Sequence, residues 1–369
     1  MLPPAALAGK LAAAPSDAGS GGRLKHATDA SLDVQVLARA RENELNRAGG
    51  LPPSAELCPA CRSAHRWAAP FPSPLSSLSH LKPALLPLAG AGISAESGIP
   101  TFRGAGGLWR KYDSARLATA RAFVQRPSLV WEFYHWRRCV AARCRPNPAH
   151  YAMAALEQRL AALGRRLTLV TQNVDRLHQQ AGSKAVLELH GSIWDVCRAD
   201  RGGLKDGSCW EDRRQPLAPA LAGRGAPDPD LDAEPDIPTS ALPQDGEGRL
   251  LRPGVVWFGE TLDPAALASA EEAVAGCDLF VTAGTSAVVY PAAGFAEQVA
   301  ARGVPVAEFN LETSGSSSLC TFAFRGRAAE LLPAALGVEA EVRQLHERQD
   351  AEAVETQGLG AGAKIDRPP

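Results

Sequence analysis

Short runs of apolar residues recur along the chain, and each run ends at glycines or at a cluster of polar residues. Runs of this length are typical of buried β-strands, and polar residues directly after them are typical of the crevice at the carboxyl ends of parallel strands. The pattern therefore predicts an α/β fold. The runs comprise residues 85–88, 167–171, 186–189, 279–282 and 305–309.

Two prolines, Pro83 and Pro87, lie where the first, central strand is expected. Proline has no N–H group to donate to a ladder and is disfavoured in a central strand. We therefore expect either that this strand begins at Leu88 or that the chain is irregular there.

A glycine-rich segment, AGAGISAESGIPTFRG, follows this first run. Gly90 and Gly92 have no Cβ and would let backbone N–H groups approach the pyrophosphate of a dinucleotide. Such a pattern is weak evidence alone, because an ordinary tight turn looks the same and the third glycine is replaced by Ala95. The continuation favours phosphate binding, since Pro100 restrains the chain and Arg103 would hold a phosphate.

Two further clusters follow strand-like runs. Residues 172–178 read QNVDRLH, and His190 precedes a glycine and a serine. A lone histidine is more often a hydrogen-bonded structural residue than a catalyst. Its place at a strand end, in a chain that also carries Asn173 and Asp175, favours a catalytic role.

Six motifs occur in the order GAGISAESGIPTFRG, TQNVDRLH, ELHGS, VVWFGE, AGTS and PVAEFN. Over residues 85–336 they resemble the sirtuins, which are NAD-dependent protein-lysine deacylases. The resemblance implies a Rossmann-like parallel sheet with helices on both faces, formed by residues 81–190 and 250–336. It also implies a small inserted domain of the zinc-ribbon type, with degenerate zinc ligands, at residues 191–249. Residues 1–80 would be a low-complexity N-terminal region, and residues 337–369 a flexible tail.

The resemblance assigns a candidate site in the cleft between the two domains, where NAD and an acyl-lysine peptide would meet. The catalytic candidates are His190, Asn173 and Asp175. The cofactor-binding candidates are Gly90, Ala91, Gly92, Ala95, Phe102, Arg103, Gln172, Asn173, Asp175, Gly284, Thr285, Ser286, Asn310, Leu311 and Glu312. The substrate candidates are Tyr134, Arg137, Val256, Trp257, Phe258 and Gly259.

The implied reaction begins with attack of the acyl oxygen on the nicotinamide ribose carbon, which releases nicotinamide. His190 would then act as the general base on a ribose hydroxyl, since an imidazole with an ordinary pKa of about 6.5 is mostly neutral near pH 7. Phe102 would shield the sugar carbon from water. The products would be deacylated lysine and O-acyl-ADP-ribose.

The segment WEFYHWRR at residues 131–138 fits a helix on which Tyr134 and Arg137 share one face. It matches the sirtuin subclass that removes succinyl, malonyl and glutaryl groups, in which a tyrosine and an arginine at this spacing bind the distal carboxylate. Arginine pairs naturally with a carboxylate. The alternative is a solvated basic helix face, because Arg138 follows and Arg143 and Arg145 lie near.

The cysteines depart from the family pattern, which has two CxxC-like pairs in the small domain, a spacing that suits tetrahedral zinc. Cys197 is followed by Asp200, Cys209 stands alone, and residues 242–249 contain no cysteine. We therefore predict that no structural zinc is bound. The Cys58–Cys61 pair lies too early to complete the same site. Eight cysteines without a disulfide framework favour a reducing compartment.

Composition changes the picture little. With 39 basic and 40 acidic residues, the net charge of −1 offers no electrostatic case for binding nucleic acid or a membrane surface, and no run is long and apolar enough to span a bilayer. The first 28 residues contain three basic residues and one acid, which is compatible with a mitochondrial transit peptide or with a flexible arm.

We expect an NAD-dependent deacylase with a preference for acidic acyl groups. The alternatives are a deacetylase or ADP-ribosyltransferase on the same fold, and a non-catalytic NAD or ADP-ribose binding module.

Overall fold

The computed structural model describes residues 84–102, 107–228 and 236–360 of the chain. The strands are β1 (Ala84–Ala89), β2 (Leu108–Trp109), β3 (Tyr112–Asp113), β4 (Arg166–Leu167), β5 (Leu169–Thr171), β6 (Val186–Glu188), β7 (Gly191–Ala199), β8 (Lys205–Glu211), β9 (Leu251–Val255), β10 (Leu279–Ala283), β11 (Val306–Asn310) and β12 (Phe322–Arg325). The α-helices are α1 (Ala91–Ala95), α2 (Ser114–Leu117), α3 (Ala120–Gln125), α4 (Pro127–Arg143), α5 (Pro148–Ala162), α6 (Leu177–Gln180), α7 (Pro264–Gly276), α8 (Phe295–Ala301), α9 (Ala328–Ala335) and α10 (Glu339–Gly360). The predicted N-terminal region, the transit peptide and the Cys58–Cys61 pair lie outside the described residues.

The central sheet has seven parallel strands. Six of them follow the order β12-β11-β10-β1-β5-β6, and the short strand β4 pairs with the first part of β1 on the same side as β5. Both faces of this sheet are covered. One core contains Ala89, Leu169 and Val281 under helices α5 and α9, and the other contains Leu88 and Phe280 under helices α7 and α8. Because neighbouring residues of a strand point to opposite faces, strands covered on both faces are apolar throughout. The predicted α/β fold with a doubly covered parallel sheet is confirmed.

Local chemistry explains where two of these helices begin. The side chains of Asn147 and Asp263 accept backbone N–H groups at the first turns of α5 and α7, and a proline follows each cap. An N-cap acceptor satisfies an otherwise unpaired N–H, and proline at the first helical position loses no hydrogen bond. Among the described helices, none is long and apolar enough to cross a membrane.

The expectation that β1 starts at Leu88 was wrong, because the strand spans residues 84–89 and includes Pro87. Pro87 lies opposite Val281 of β10 on one side. On the other side, β4 pairs only as far as Leu85 and β5 begins to pair at Leu88. A gap in the ladder therefore lies at the proline, where a missing N–H group removes no bond.

A second, smaller unit is built on the antiparallel sheet β8-β7-β9. Its core also contains Trp109, Phe123 and Trp131, which come from the segment between α1 and α5, together with Trp257. The small unit thus draws on two separate stretches of chain, not on residues 191–249 alone. Strand β9, which the predicted boundary assigned to the large domain, pairs with β7. The reason is long-range packing of aromatic side chains, which no local pattern reveals.

The expected flexible tail after residue 337 was wrong for the part that the structure describes. Helix α10 packs against α5, with Val342 buried in the core under the sheet. Glu341 forms an ion pair with Arg159, and Gln349 accepts a hydrogen bond from Tyr151 at 2.9 Å. Arg343, Glu347 and Arg348 are exposed on this helix, whereas Glu341 pairs with α5.

Cys197 and Cys209 form a disulfide across the β7–β8 hairpin, where they stand in register. The sequence had left Cys209 without a partner, because the pairing depends on the hairpin register. One bridge within one hairpin differs from the multiple bridges that staple small secreted domains. It constrains the hairpin of the small unit, where the resemblance implied degenerate zinc ligands.

Replacing both Cys197 and Cys209 by serine is expected to lower the free energy of unfolding by about 3 kcal/mol, because the unfolded chain loses a loop constraint. Thermal unfolding followed by circular dichroism, with and without reductant, measures the effect. Cys139→Ser, at a half-buried free cysteine, is the control. A double variant as stable as the wild type under oxidising conditions would contradict the assigned bridge.

Candidate functional site

The glycine-rich turn between β1 and α1 packs backbone to backbone against the end of β10. The N–H groups of Gly90 and Gly92 donate to the carbonyls of Ala283 and Gly284 at 2.9 and 2.8 Å. A Cβ on Gly90 would lie 2.7 Å from the Gly284 oxygen, and one on Gly92 would lie 2.8 Å from the Gly284 Cα. These two glycines therefore act through close loop packing, since their own N–H groups already have protein partners.

Asn173 is tied to this turn from the end of β5. Its side-chain amide donates to the Gly90 carbonyl at 3.0 Å and to the Ser94 hydroxyl at 2.9 Å. Asp175 lies in the same buried cluster and accepts the Leu177 N–H at 2.9 Å. Burial raises the pKa of the Asp175 carboxyl, although hydrogen bonds from Leu177 and Ser94 oppose the change. The structure thus brings the predicted Asn173 and Asp175 together.

Ser94 and His150 belong to this cluster and were missing from the predicted site. The His150 Nε2 lies 3.4 Å from the Ser94 hydroxyl, and its ring centroid lies 4.7 Å from that of His178. Burial lowers the pKa of His178 to about 3, so both buried rings are neutral near pH 7. Ser94 could have been found from its place in the glycine-rich motif, whereas no motif near His150 in the sequence indicates that it lies beside Ser94.

His190 lies between β6 and β7, at the junction of the two units. Its Nδ1 lies 3.0 Å from the Gln172 carbonyl, and its own carbonyl accepts the Val256 N–H at 2.8 Å. Because a carbonyl only accepts, the Nδ1 carries the hydrogen, and the Nε2 is the basic atom. Burial lowers the pKa of His190, although the Gln172 carbonyl opposes the change. The ring is therefore held in the neutral tautomer that a general base requires.

The loops after β10 and β11 form the opposite wall of the crevice. Gln172 donates to the Thr285 hydroxyl at 3.1 Å, and Asn310 donates to the Thr285 carbonyl at 2.8 Å. Gly284 has a left-handed φ of 61°, and a Cβ there would meet the Ile93 nitrogen at 2.3 Å. The predicted residues Gln172, Thr285 and Asn310 are therefore in contact. The other predicted positions on these loops, Ser286, Leu311 and Glu312, are exposed at their rims.

Aromatic side chains line the mouth of the cleft between the two units. The ring of Phe102 packs edge-on against Phe133 of α4 and Phe258, with centroids 6.4 Å apart in each case. Tyr134 is buried, and its hydroxyl accepts the indole N–H of Trp257 at 2.8 Å. Burial raises the pKa of Tyr134 to about 12, which keeps the hydroxyl protonated.

Arg137 is only 6% exposed, yet no carboxylate pairs with it among the described residues. Its guanidinium lies 4.3 Å from the Phe102 ring centroid, and both terminal nitrogens reach the Pro100 carbonyl at 3.4 Å. Its Nε has no hydrogen-bond partner in the described chain. The alternative of a solvated basic face was wrong, because Arg137 and Arg138 are both buried.

The adjacent Arg138 has a different role. It donates to the carbonyls of Ile193 and Asp212 at 2.5 Å each and lies 5.2 Å from the Trp194 ring centroid. Burial lowers its pKa to about 10. These hydrogen bonds hold α4 against the small sheet and so fix the orientation of Tyr134 and Arg137, which lie on the same helix.

The segment of residues 256–260 is shaped by a buried ion pair that the prediction also missed. Arg252 pairs with Glu260 and stacks 3.5 Å from the Trp257 ring centroid, and Glu260 accepts the Trp257 N–H at 2.9 Å. This pair turns the chain so that Trp257 points into the core while Phe258 and Gly259 face outward.

Three further residues were predicted to bind the cofactor. Ala91 and Ala95 are exposed on α1, and Arg103 lies outside the described residues.

The residues in the position of the family's zinc site do not fit a metal. The thiols of Cys197 and Cys209 are joined to each other, and Asp245 accepts hydrogen bonds from Arg198 and Arg249. Within the described ranges, no group of three or more His, Cys, Asp or Glu side chains could hold a metal ion. The absence of zinc from the protein stays a prediction.

A parallel sheet with a glycine-rich turn at β1, and a second unit closing over its carboxyl edge, defines a dinucleotide-binding α/β protein. A model of the Sir2 family matches residues 90–291. A Xenopus tropicalis protein named NAD-dependent protein deacylase sirtuin-5, mitochondrial, is 52% identical over 252 residues, which cover 68% of this chain and 80% of that relative. A Daphnia pulex NAD-dependent protein deacylase is 53% identical over 253 residues, covering 68% and 90%.

A solved Sir2 homologue in complex with NAD is 38% identical, has a TM-score of 0.57 and covers 74% of this chain and 93% of its own. The chain belongs to the Sir2 family, which confirms the resemblance found in its motifs.

Gly92→Ala is expected to lower the free energy of unfolding by about 1–3 kcal/mol, because the new Cβ overpacks against backbone that cannot withdraw without moving the β10 loop. NAD affinity should fall with it. Thermal unfolding and titration calorimetry with NAD measure the two effects. Gly246→Ala is the matched control, since its Cβ would meet nothing within 4 Å. If both variants behave alike, close loop packing is not what this position requires.

Proposed function

We propose that this protein is an NAD-dependent protein-lysine deacylase that prefers acyl groups ending in a carboxylate, such as succinyl, malonyl and glutaryl groups. The observation that carries the proposal is the buried Arg137 without a carboxylate partner. The deacylase activity itself is that of the sirtuin-5 relatives, whose names state it.

A buried cation without a carboxylate in ion-pair contact is costly, because desolvation disfavours the charged form. Burial lowers the pKa of Arg137, while Tyr134 and the Asp175 carboxylate, which is not in ion-pair contact, oppose the change, and an arginine stays protonated near neutral pH. The aromatic faces of Phe102 and Phe133 offer it only partial compensation. A carboxylate on the substrate would supply a direct ion pair and occupy the donors of the guanidinium fork.

The hydroxyl of Tyr134 is available to donate a second hydrogen bond to the substrate carboxylate. Its oxygen already accepts the Trp257 indole N–H, so its own O–H hydrogen remains to donate. Tyr134 and Arg137 are three residues apart on α4, so both face the same side. An acetyl group would leave both donors without a partner, which is the physical basis of the preference.

The other side of the cleft fits NAD. Bound NAD would supply an electrophilic ribose carbon, which accepts the acyl oxygen as nicotinamide departs. Gln172, Asn173 and Asp175 would line the pocket for the nicotinamide and its ribose, and the loops at Thr285 and Asn310 would line the ADP-ribose half. The His190 Nε2 would take the proton of a ribose hydroxyl, and Phe102 would keep water from the sugar carbon.

The peptide would pair with the backbone of residues 256–259, whose course is set by the Arg252–Glu260 pair. Main-chain pairing gives affinity with little dependence on the peptide sequence. The sirtuin-5 relatives are named as mitochondrial proteins, and we propose the same location for this one.

Arg137→Met should reduce kcat/KM for a succinyl-lysine peptide by at least about 30-fold, since losing one partner of a buried charge pair costs about 2 kcal/mol or more. Activity on the matched acetyl-lysine peptide should change far less. Mass spectrometry of both peptides with NAD measures the two rates, with Arg159→Met, at an ion pair between α5 and α10, as the control variant. Equal losses on both peptides would exclude the carboxylate role.

The pH profile of kcat/KM should place its acidic limb below pH 6.5. Burial lowers the pKa of His190, so the neutral base persists as the pH falls below the ordinary value and is lost only when the pH passes through the lowered one. His190→Ala should abolish deacylation while NAD still binds. An acidic limb at or above pH 6.5, or substantial deacylation by His190→Ala, would argue against this base.

A further inference from the structure

Arg176 occupies a backbone conformation that glycine would adopt at lower cost. It follows Asp175 directly and has φ 62° and ψ 25°, in the left-handed region. Residues with a side chain seldom adopt this conformation. The strain is a reason to ask what the Arg176 side chain does.

The guanidinium of Arg176 binds three carboxylates from three different strands. It lies 3.2 Å from Glu188 of β6, 3.0 Å from Asp195 of β7 and 3.0 Å from Glu211 of β8. Strand β6 belongs to the central sheet, whereas β7 and β8 belong to the small sheet. One side chain therefore spans the junction between the two units.

The three carboxylates need this cation. Asp195 and Glu211 stand directly opposite each other in the hairpin, where like charges are destabilising. The Cys197–Cys209 bridge lies two residues further along each strand and so holds their register on the same face. Arg213 also pairs with Glu211, whereas Arg176 is the cation in ion-pair contact with both Glu188 and Asp195 in the described chain. Without Arg176, these carboxylates would repel one another across the junction.

The same loop docks on β7 at two further points. The Val174 carbonyl accepts the Ile193 N–H at 2.9 Å, and the Asp175 carbonyl accepts the Trp194 indole N–H at 2.8 Å. The loop from Gln172 to Arg176 is thus held between the sheet edge and the small unit. Asn173 and Asp175, which we assign to the nicotinamide side, lie within it.

We propose that Arg176 is a positioning residue, which holds the nicotinamide-side loop against the small unit through the Glu188, Asp195 and Glu211 carboxylates. This inference rests on the proposed function only in that this loop binds the nicotinamide half of NAD. Arg176 itself touches neither substrate nor cofactor.

The test compares NAD with ADP-ribose, which lacks nicotinamide, by titration calorimetry on the full chain. R176G removes the side chain at a position where glycine relieves backbone strain, and it should raise the Kd for NAD roughly tenfold, as expected for a displaced binding loop. The Kd for ADP-ribose should change much less. R159Q, which breaks the Arg159–Glu341 pair between α5 and α10, should change neither.

Two further variants distinguish a loss of loop positioning from a general loss of protein stability. R176K keeps a charge without the fork and should recover part of the NAD affinity. Adding E211Q to R176G removes one of the repelling carboxylates and should also recover part of it. Either recovery should appear without a matching change in melting temperature.

An unchanged NAD Kd in R176G overturns the inference, as does an equal loss for NAD and ADP-ribose. If R176G fails to fold, the Kd for NAD is measured instead for R176K and for the double variant R176K/E211Q. A Kd for R176K equal to that of the wild type would then overturn the inference. Wild-type protein that binds NAD but removes no acyl group contradicts the proposed function, while the Kd comparison still tests the role of Arg176.

Discussion

The close approach of the β1 and β10 loops is the constraint on which the site depends. The N–H groups of Gly90 and Gly92 donate hydrogen bonds to backbone carbonyls at the end of β10, and neither these glycines nor Gly284 opposite them have room for a Cβ. This contact fixes the Gly90 carbonyl and Ser94, which in turn hold the Asn173 amide. Three strand ends are therefore tied together by backbone geometry before any ligand binds, which is the preorganisation that binding and catalysis need.

Buried arginines organise the small unit and the cleft. Arg138 satisfies carbonyls on the small sheet, and Arg252 pairs with Glu260 beneath the Trp257 ring. Both are matched within the protein, so both are structural. Arg137 is buried to a similar degree but lacks such a match in the described chain. Because a buried charge without an ion pair is costly, the contrast among the three supports the proposal that a substrate carboxylate binds at Arg137.

A disulfide and several ion pairs hold the small unit together. Asp245 is bonded to Arg198 and Arg249, and the Cys197–Cys209 bridge closes the hairpin that carries Asp195 and Glu211. These interactions order the same hairpin on which the nicotinamide-side loop rests. The stability of the small unit and the shape of the cleft are thus connected through one piece of chain.

The sequence alone determined the parallel sheet, the family and the positions of Asn173, Asp175 and His190 after strand ends, because strands and the motifs after them are contiguous in the chain. It also predicted helix α4 and the shared face of Tyr134 and Arg137, which depends only on helical spacing. Tertiary structure decided the features that depend on residues far apart: the tolerance of Pro87 in β1, the second core from two stretches, the pairing of Cys197 with Cys209, and the approach of His150 to Ser94. Each depends on register or packing between distant segments. The tertiary structure also gave Arg138 carbonyl partners on the small sheet and left Arg137 without a carboxylate partner in the described chain.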